Sequence, residues 1–292
     1  MLTLAHPVPG DECLIHTGPV REAIVSWNAR ALEGALDVRV NASDGRTSAW
    51  MPYVAFESER RASLEGRDTF VRIETDVLRA EVDIVSIGVR SRGPLDALYI
   101  STPDYGAPSP IVALPALELE VPAVSQFDAA YPAERGWCAP ATLAMLLDYR
   151  AYQVDLPVVV REVFDARYGG TGNWTFNAAF ASRLGFRAAA LHLRDLAHAH
   201  AFLADDIPLA LSIAWERDQL PDAPLERSAG HLVVLRGIDP NGDALVNDPA
   251  RPGVRAVYPR GAFERAWLGH GGIAIAVAPA PLGEALVRLA NG

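Results

Sequence analysis

Gly136-Trp137-Cys138-Ala139-Pro140-Ala141-Thr142-Leu143-Ala144-Met145-Leu146-Leu147-Asp148 sets a lone cysteine at the mouth of an apolar run, with a proline just inside it. Proline has a fixed φ and no N–H, so it suits the first turn of a helix and is costly deeper in one. Leu143, Leu146 and Leu147 then recur at helical spacing and define a buried stripe. The pattern predicts a helix over 139–150 with Cys138 at or next to its N-terminus. Unpaired N–H groups and the helix dipole favour the thiolate there. A small hydrophobe in a core is the commoner fate of a cysteine. That reading explains neither the glycine before Cys138 nor the proline after it, so Cys138 is read as a nucleophile.

A thiol nucleophile needs a base. Residues 229–250 contain two β-rich stretches, His231 to Ile238 and Ala244 to Asn247, flanking the turn sequence Asp239-Pro240-Asn241-Gly242. They predict an antiparallel hairpin. A turn centred between Pro240 and Asn241 puts His231 opposite Ala250 and Asp248 on the same face, a diagonal neighbour at roughly 7–8 Å. A carboxylate at that position reaches one imidazole nitrogen, fixes the tautomer and leaves the other nitrogen for the thiol. A histidine opening a strand and an Asp-Pro pair ending one are each ordinary; together with Cys138 they form a Cys–His–Asp set.

Gln126, then Gly-Trp-Cys138-Ala-Pro-Ala, Gly-His231-Leu-Val-Val and Asn-Asp248-Pro resemble the papain-like cysteine peptidases of family thirty-nine. That family includes the bacteriocin-leader peptidases of export transporters and stand-alone bacterial relatives. The stretch from Tyr168 through Gly-Gly-Thr-Gly-Asn-Trp-Thr-Phe-Asn is similar to the stand-alone branch. So is Tyr258-Pro-Arg-Gly-Ala-Phe-Glu-Arg-Ala-Trp267, with Gly271-Gly-Ile-Ala after it. The resemblance runs from about Val121 to about Pro279. It implies Cys138 as nucleophile, His231 as general base, Asp248 as its orienter and Gln126 as a donor to the oxyanion. Gln126 stands twelve residues before the cysteine, farther than in the leader peptidases, so Tyr131-Pro-Ala-Glu-Arg135 is expected to be an inserted loop. Trp137, Asn173 and Trp174 are expected near the cleft as substrate-binding residues. The function implied is hydrolysis of peptide amide bonds through a thioester. The same triad would also serve acyl transfer to another acceptor, and the same fold would serve a non-catalytic binding protein.

The chain has 292 residues, half of them hydrophobic and 21% charged, which excludes wholesale disorder and allows one large or two ordinary domains. A formal charge of −10 speaks against a nucleic-acid partner. All 26 basic residues are arginine. The two cysteines, Cys13 and Cys138, make no disulfide framework, and a bridge between them would disable the nucleophile, so both are expected as free thiols. Met1 to Gly10 lacks the basic start and apolar run of a secretory signal, and no stretch approaches 18 apolar residues. The expected location is the cytoplasm for the chain as it stands, and outside it were a leader removed.

Prolines 103, 108, 110, 115 and 122 punctuate an aperiodic stretch, which reads as a linker over residues 101–120. Before it, residues 1–100 show six strand-like runs: Glu22–Trp27, Leu36–Val40, Ser48–Phe56, Thr69–Ile73, Glu81–Val89 and Leu95–Ile100. They predict an all-β sandwich domain. Such a module binds a carbohydrate or protein ligand, or braces a catalytic domain, and its fold does not choose. After it, residues 121–292 alternate helices and strands. Helices are expected near 139–150, 158–167, 176–184, 196–204 and 261–268. Strands are expected near 186–191, 209–214, 255–258 and 273–278, besides the hairpin. Helix with cysteine first and sheet with histidine and aspartate later is the papain-like α+β order, and a fragment from about residue 116 is expected to fold alone.

No metal or cofactor is expected. His198 and His200 do not share a helix face. Asp239 to Ala250 lacks the glycine and the terminal glutamate of a calcium loop. Gly169-Gly-Thr-Gly172 has neither the lysine of a phosphate loop nor dinucleotide-fingerprint spacing. Neither Gly-x-Ser-x-Gly nor His-Glu-x-x-His occurs.

Overall fold

The computed structural model describes residues 1–30, 33–57, 60–104, 113–127 and 136–292. Part of the Pro-rich stretch, residues 105–112 with Pro108 and Pro110, and the loop Tyr131–Arg135 lie outside the described residues.

The first hundred residues form one antiparallel sheet from β1 (Leu2–Ala5), β2 (Glu12–Asn28), β3 (Gly34–Ala42), β4 (Met51–Phe56), β5 (Arg61–Ser63), β6 (Val71–Glu74), β7 (Val77–Arg92) and β8 (Ala97–Ser101). The order is β1-β8-β2-β7-β3-β4-β5, with β6 on the other end of β7. The two long strands, β2 and β7, break register between His16 and Glu22. A bulge bends a strand and increases its twist, and the sheet rolls over here. Tyr53 of β4 shows it: its hydroxyl accepts the Val25 N–H of β2 and donates to the Asp76 carbonyl, although β4 and β2 are not neighbours. Trp27 stacks on Phe56 across the same interior at 5.5 Å between ring centres. The all-β expectation thus takes the form of one sheet whose two halves face each other around a core of Val25, Trp27, Val38, Tyr53, Ile87 and Ile100.

The rest of the chain adds β9 (Leu117–Glu118), α1 (Cys138–Asp148), α2 (Leu156–Val163), α3 (Trp174–Arg183), β10 (Phe186–His192), α4 (Leu196–Ala204), β11 (Leu209–Trp215), β12 (Ser228–Ile238), β13 (Ala244–Asn247), β14 (Arg255–Tyr258), α5 (Arg260–Leu268), β15 (Ile273–Pro279) and α6 (Gly283–Asn291). The second sheet runs β10-β15-β11-β12-β13-β14, with β9 on β12. Both its faces are covered. Ala188, Ala210, Leu232, Val234, Ile275 and Val277 pack under α1, α2 and α3. Their neighbours Ala189, Leu211, Val233, Leu235 and Ala276 pack against α4, α5 and α6. Burial on two sides explains why these strands read as continuous apolar runs rather than alternating ones.

The end of the Pro-rich stretch is part of this sheet. Glu118 pairs with Gly237, where a Cβ would stand 2.3 Å from the Leu117 carbonyl oxygen, so only glycine admits β9 there. In the hairpin, Val234 pairs with Asn247 and Leu235 with Val246, the register expected from the turn. The loop is longer than a two-residue turn, since Asp239 N–H donates to the Asp243 carbonyl. The register shift at Arg236 restores the alignment.

Candidate active site

Gly136 adopts φ +80°, a left-handed conformation open to glycine, and turns the chain into α1. Trp137 is the N-cap residue and Cys138 the first of the helix, followed by Ala139 and Pro140. This is the N-terminal placement expected from the sequence. Cys138 is partly buried. The backbone N–H groups of Leu232 and Ala139 aim at the sulfur, and His231 lies within hydrogen-bonding reach of it.

His231 is buried in β12, paired with Ile213 of β11, and Trp215 meets its ring edge-on at 5.9 Å. Its Nε2 lies 2.7 Å from Asp248 Oδ1, leaving Nδ1 for the thiol. Asp248 is fully buried just past β13. Its Oδ1 also accepts the Ala250 N–H at 3.0 Å, and its Oδ2 accepts the Tyr258 hydroxyl at 2.6 Å. The Ala250 N–H and the Tyr258 hydroxyl thereby hold the carboxylate in place against the imidazole. Asp239 and Asp243 sit at the turn, where their oxygens accept backbone N–H groups of Asn241, Asp243 and Arg260.

The electrostatics follow. Burial would push the Cys138 thiol up, but the hydrogen bond and charge of His231 outweigh it and bring the thiol below its ordinary value. Burial would likewise lower His231, yet Asp248 and the Cys138 sulfur prevail and push it up to about 9. Burial opposes ionisation of Asp248 too, and is outweighed by His231, Tyr258 and the Ala250 N–H, so its carboxyl stays below the usual range. The arrangement favours a thiolate–imidazolium pair braced by a carboxylate. Cys13, by contrast, is raised by burial alone.

The thiol opens into a cleft of about 940 Å³. One wall is α1 and α2, with Trp137, Val160 and Phe164; another is Trp174 at the start of α3, whose ring meets His270 edge-on at 6.3 Å. A third wall comes from the N-terminal sheet: the β6–β7 turn contributes Glu74, Thr75 and Asp76, and β7 contributes Arg79. Asp76 Oδ2 accepts the Trp174 N–H at 2.8 Å, tying this turn to α3. Burial pushes the Asp76 carboxyl up to about 7.

Of the substrate-binding expectations, Trp137 and Trp174 line the cleft. Asn173 does not. Its side chain caps α3 by accepting from Thr175 and Phe176 N–H and donates to Asp165 Oδ2 at 2.8 Å, so the sequence expectation is corrected: Asn173 is consumed in holding the loop. Gln126 is buried, its N–H on the Pro249 carbonyl and its Oε1 without a hydrogen-bond partner among the described residues. It stands beside the Asp248 loop and outside the residues lining the cleft. Sequence reasoning missed Tyr258 as the second partner of Asp248. The register of β14 on β13, Tyr258 opposite Ala244, would have put it on that strand pair. It also missed His270 and the β6–β7 turn, which only tertiary packing brings to the cleft. Among the described residues no group of three or more His, Cys, Asp or Glu could hold a metal ion, and no helix is long and apolar enough to cross a membrane.

The model of the Peptidase C39 like family matches residues 118–275, more than half of the chain. No curated protein sequence matches it. Among solved structures, a C39-like peptidase from Bacillus anthracis is 19% identical with a TM-score of 0.44, over 56% of this chain and 98% of that one. A double-glycine-motif protease from an AMS/PCAT transporter, solved with its leader peptide, is 20% identical with a TM-score of 0.38, over 57% and 99%. The peptidase domain of Streptococcus ComA, a bifunctional transporter of a quorum-sensing pathway, is 20% identical with a TM-score of 0.39, over 53% and 96%.

Proposed function

The chain belongs to the C39-like peptidase family, and we propose that it is a cysteine peptidase acting on peptide amide bonds through Cys138, His231 and Asp248. The observation that carries this reading is the chain of contacts from the Asp248 carboxylate through the two ring nitrogens of His231 to the thiol at the start of α1. The thiolate attacks the amide carbon, and the carbonyl oxygen takes up negative charge. The backbone N–H of Cys138, at the helix start, would receive it, with the Gln126 side chain as the second donor implied by the family resemblance. The tetrahedral intermediate collapses, the His231 imidazolium gives its proton to the leaving amine, and a thioester remains. Water attacks the thioester with His231 as base, releasing the acid and restoring the thiol. Throughout, Asp248 holds the tautomer and compensates the imidazolium.

Labelling of the intact protein with a thiol-directed peptide probe tests this reading. Cys138 is expected to be modified stoichiometrically, and Cys138→Ala to abolish both labelling and peptide hydrolysis with an unchanged melting temperature. A Cys138→Ala protein that retains full hydrolysis would exclude the mechanism.

A further inference from the structure

Next to the catalytic cleft lies a second hollow of about 360 Å³, which shares Trp137, Val160 and Phe164 with it. Its construction starts from helical spacing. Pro157, Val160, Arg161 and Phe164 recur at intervals of three and four along α2 and just past it, so they share one face. Opposite stand Arg60 and Arg61, at the start of β5 in the N-terminal sheet. The floor is apolar, the rim carries three guanidinium groups, and no carboxylate among the described residues lines it. Glu162 is the acid that Arg61 and Arg161 share with Arg183. Its Oε2 takes Arg61 and Arg183, each at 2.7 Å, while its Oε1 lies 3.8 Å from Arg161. Among the described residues, one carboxylate with three arginines leaves this cluster net positive, and the Arg161 side chain is 68% exposed. Phe164 is an exposed aromatic at the same mouth.

We propose that this hollow is an extension of the substrate cleft that takes an acidic side chain of the peptide. The inference rests on the peptidase reading of Cys138. A peptide whose scissile carbonyl lies over Cys138 passes the preceding residue, Trp137, which walls both spaces. The stem of a Glu or Asp side chain then packs on Trp137 and Phe164 while its carboxylate meets Arg60 and Arg161. Guanidinium is the group suited to this, since its fork matches a carboxylate bidentately and its plane tolerates an apolar neighbour. The N-terminal sheet thereby acts as a determinant of specificity, supplying two of the three cations.

The test uses the full chain carrying Cys138→Ala, so that peptides bind without being consumed. Three pools of N-acetylated, C-amidated decapeptides are compared by titration calorimetry. They are identical in their randomised small and apolar positions, and each carries Glu, Gln or Arg at one randomised site. The Glu pool is expected to bind about 10-fold more tightly than the Gln pool, with an advantage that shrinks as salt is raised. In the Arg60→Glu/Arg161→Glu double variant the preference is expected to pass to the Arg pool. Arg161→Gln, at an exposed position, is expected to lower the Glu preference even where the double variant does not fold. Equal binding of the three pools, absence of binding included, would overturn the proposal. So would a Glu preference that survives the loss of Arg161. The peptidase reading fails separately: the wild-type protein would then neither hydrolyse any pool nor be labelled at Cys138.

Discussion

The side-chain amide of Asn28, in β2, donates to the carbonyl of Ala188 at 2.7 Å and accepts the N–H of the same residue at 3.2 Å. Ala188 lies in β10, the edge strand of the second sheet. One asparagine therefore does for that edge what a neighbouring strand would do. Ser26 accepts the Ala190 N–H and Ser101 the His192 N–H in the same row. Leu2, Ala97 and Tyr99 of the N-terminal sheet share a core with Leu191 and Leu196.

An uncovered edge strand is a template for aggregation. These contacts lead to the opposite of the expectation that a fragment from residue 116 onward folds alone. That fragment is expected to be insoluble, or to bind hydrophobic dyes, and co-expression with residues 1–104 to restore a soluble complex on size exclusion. Asn28→Ala in the full chain leaves two buried backbone groups unpaired, each costing about 1–3 kcal/mol. It is expected to lower the melting temperature by several degrees, and Asn28→Asp to do no better. A fully soluble, cooperative fragment would show that the sheets merely touch.

Much of the second sheet and its helices was legible in the sequence, because Pro140 marks the start of α1 and the apolar runs mark strands. The hairpin register near the site was legible for a compensated reason: the longer loop and the irregularity at Arg236 cancel. Helix α2 ends earlier than its periodicity suggests, since Phe164 turns extended and Asp165 is buried as the acceptor for Ser63, Arg167 and Tyr168 N–H groups. Strand β1 is only four residues long, and in the first half of β2 polar and turn-forming residues interrupt the alternation. Helix α6 carries a readable stripe, Leu286, Leu289 and Ala290. The cleft wall built by Glu74 to Arg79 could not be read at all: nothing local in a β-turn says which distant helix it will meet.

At neutral pH Cys138 is expected to react with iodoacetamide far faster than Cys13. The first is lowered by His231 and stands at a helix start; the second is raised by burial within β2. Both are free thiols in the structure. Mass spectrometry of peptides after timed alkylation reads the two rates directly, and equal rates in the folded protein would count against the nucleophile.

The pH profile follows from the signs of the shifts. A lowered thiol keeps its thiolate to lower pH than an ordinary cysteine and loses it as pH falls through the depressed value. His231, raised to about 9, keeps its proton for the leaving amine until pH climbs through that value. Turnover is therefore expected to be bell-shaped, with its alkaline limb near pH 9. Asp248→Asn removes the charge that raises His231, so the alkaline limb is expected to move down in pH. An alkaline limb unmoved by that substitution would mean that another group titrates there.

Asp248 and Asp243 both flank β13 and differ in what they hold. Asp248 binds the imidazole, the Tyr258 hydroxyl and the Ala250 N–H; Asp243 accepts the Arg260 N–H at 2.8 Å, at the start of α5. Asp248→Asn keeps the shape but can turn an N–H donor toward Nε2, which favours the wrong imidazole tautomer, and it loses the charge opposite the imidazolium. The matching change in a serine protease costs about 10⁴ in turnover. A thiolate already formed depends less on its base, so the loss expected here is smaller, on the order of 10²-fold. Tyr258→Phe leaves Asp248 Oδ2 without its donor. A hydrogen bond to a charged group is worth about 1.5–3 kcal/mol; because that loss is shared between the resting and reacting states, only a several-fold fall in turnover is expected. Asp243→Asn keeps an acceptor for Arg260 and touches nothing in the site, so it is expected to be nearly silent. Turnover of the three variants on one peptide substrate decides the matter: if Asp243→Asn is the damaging change, Asp248 is not the orienter.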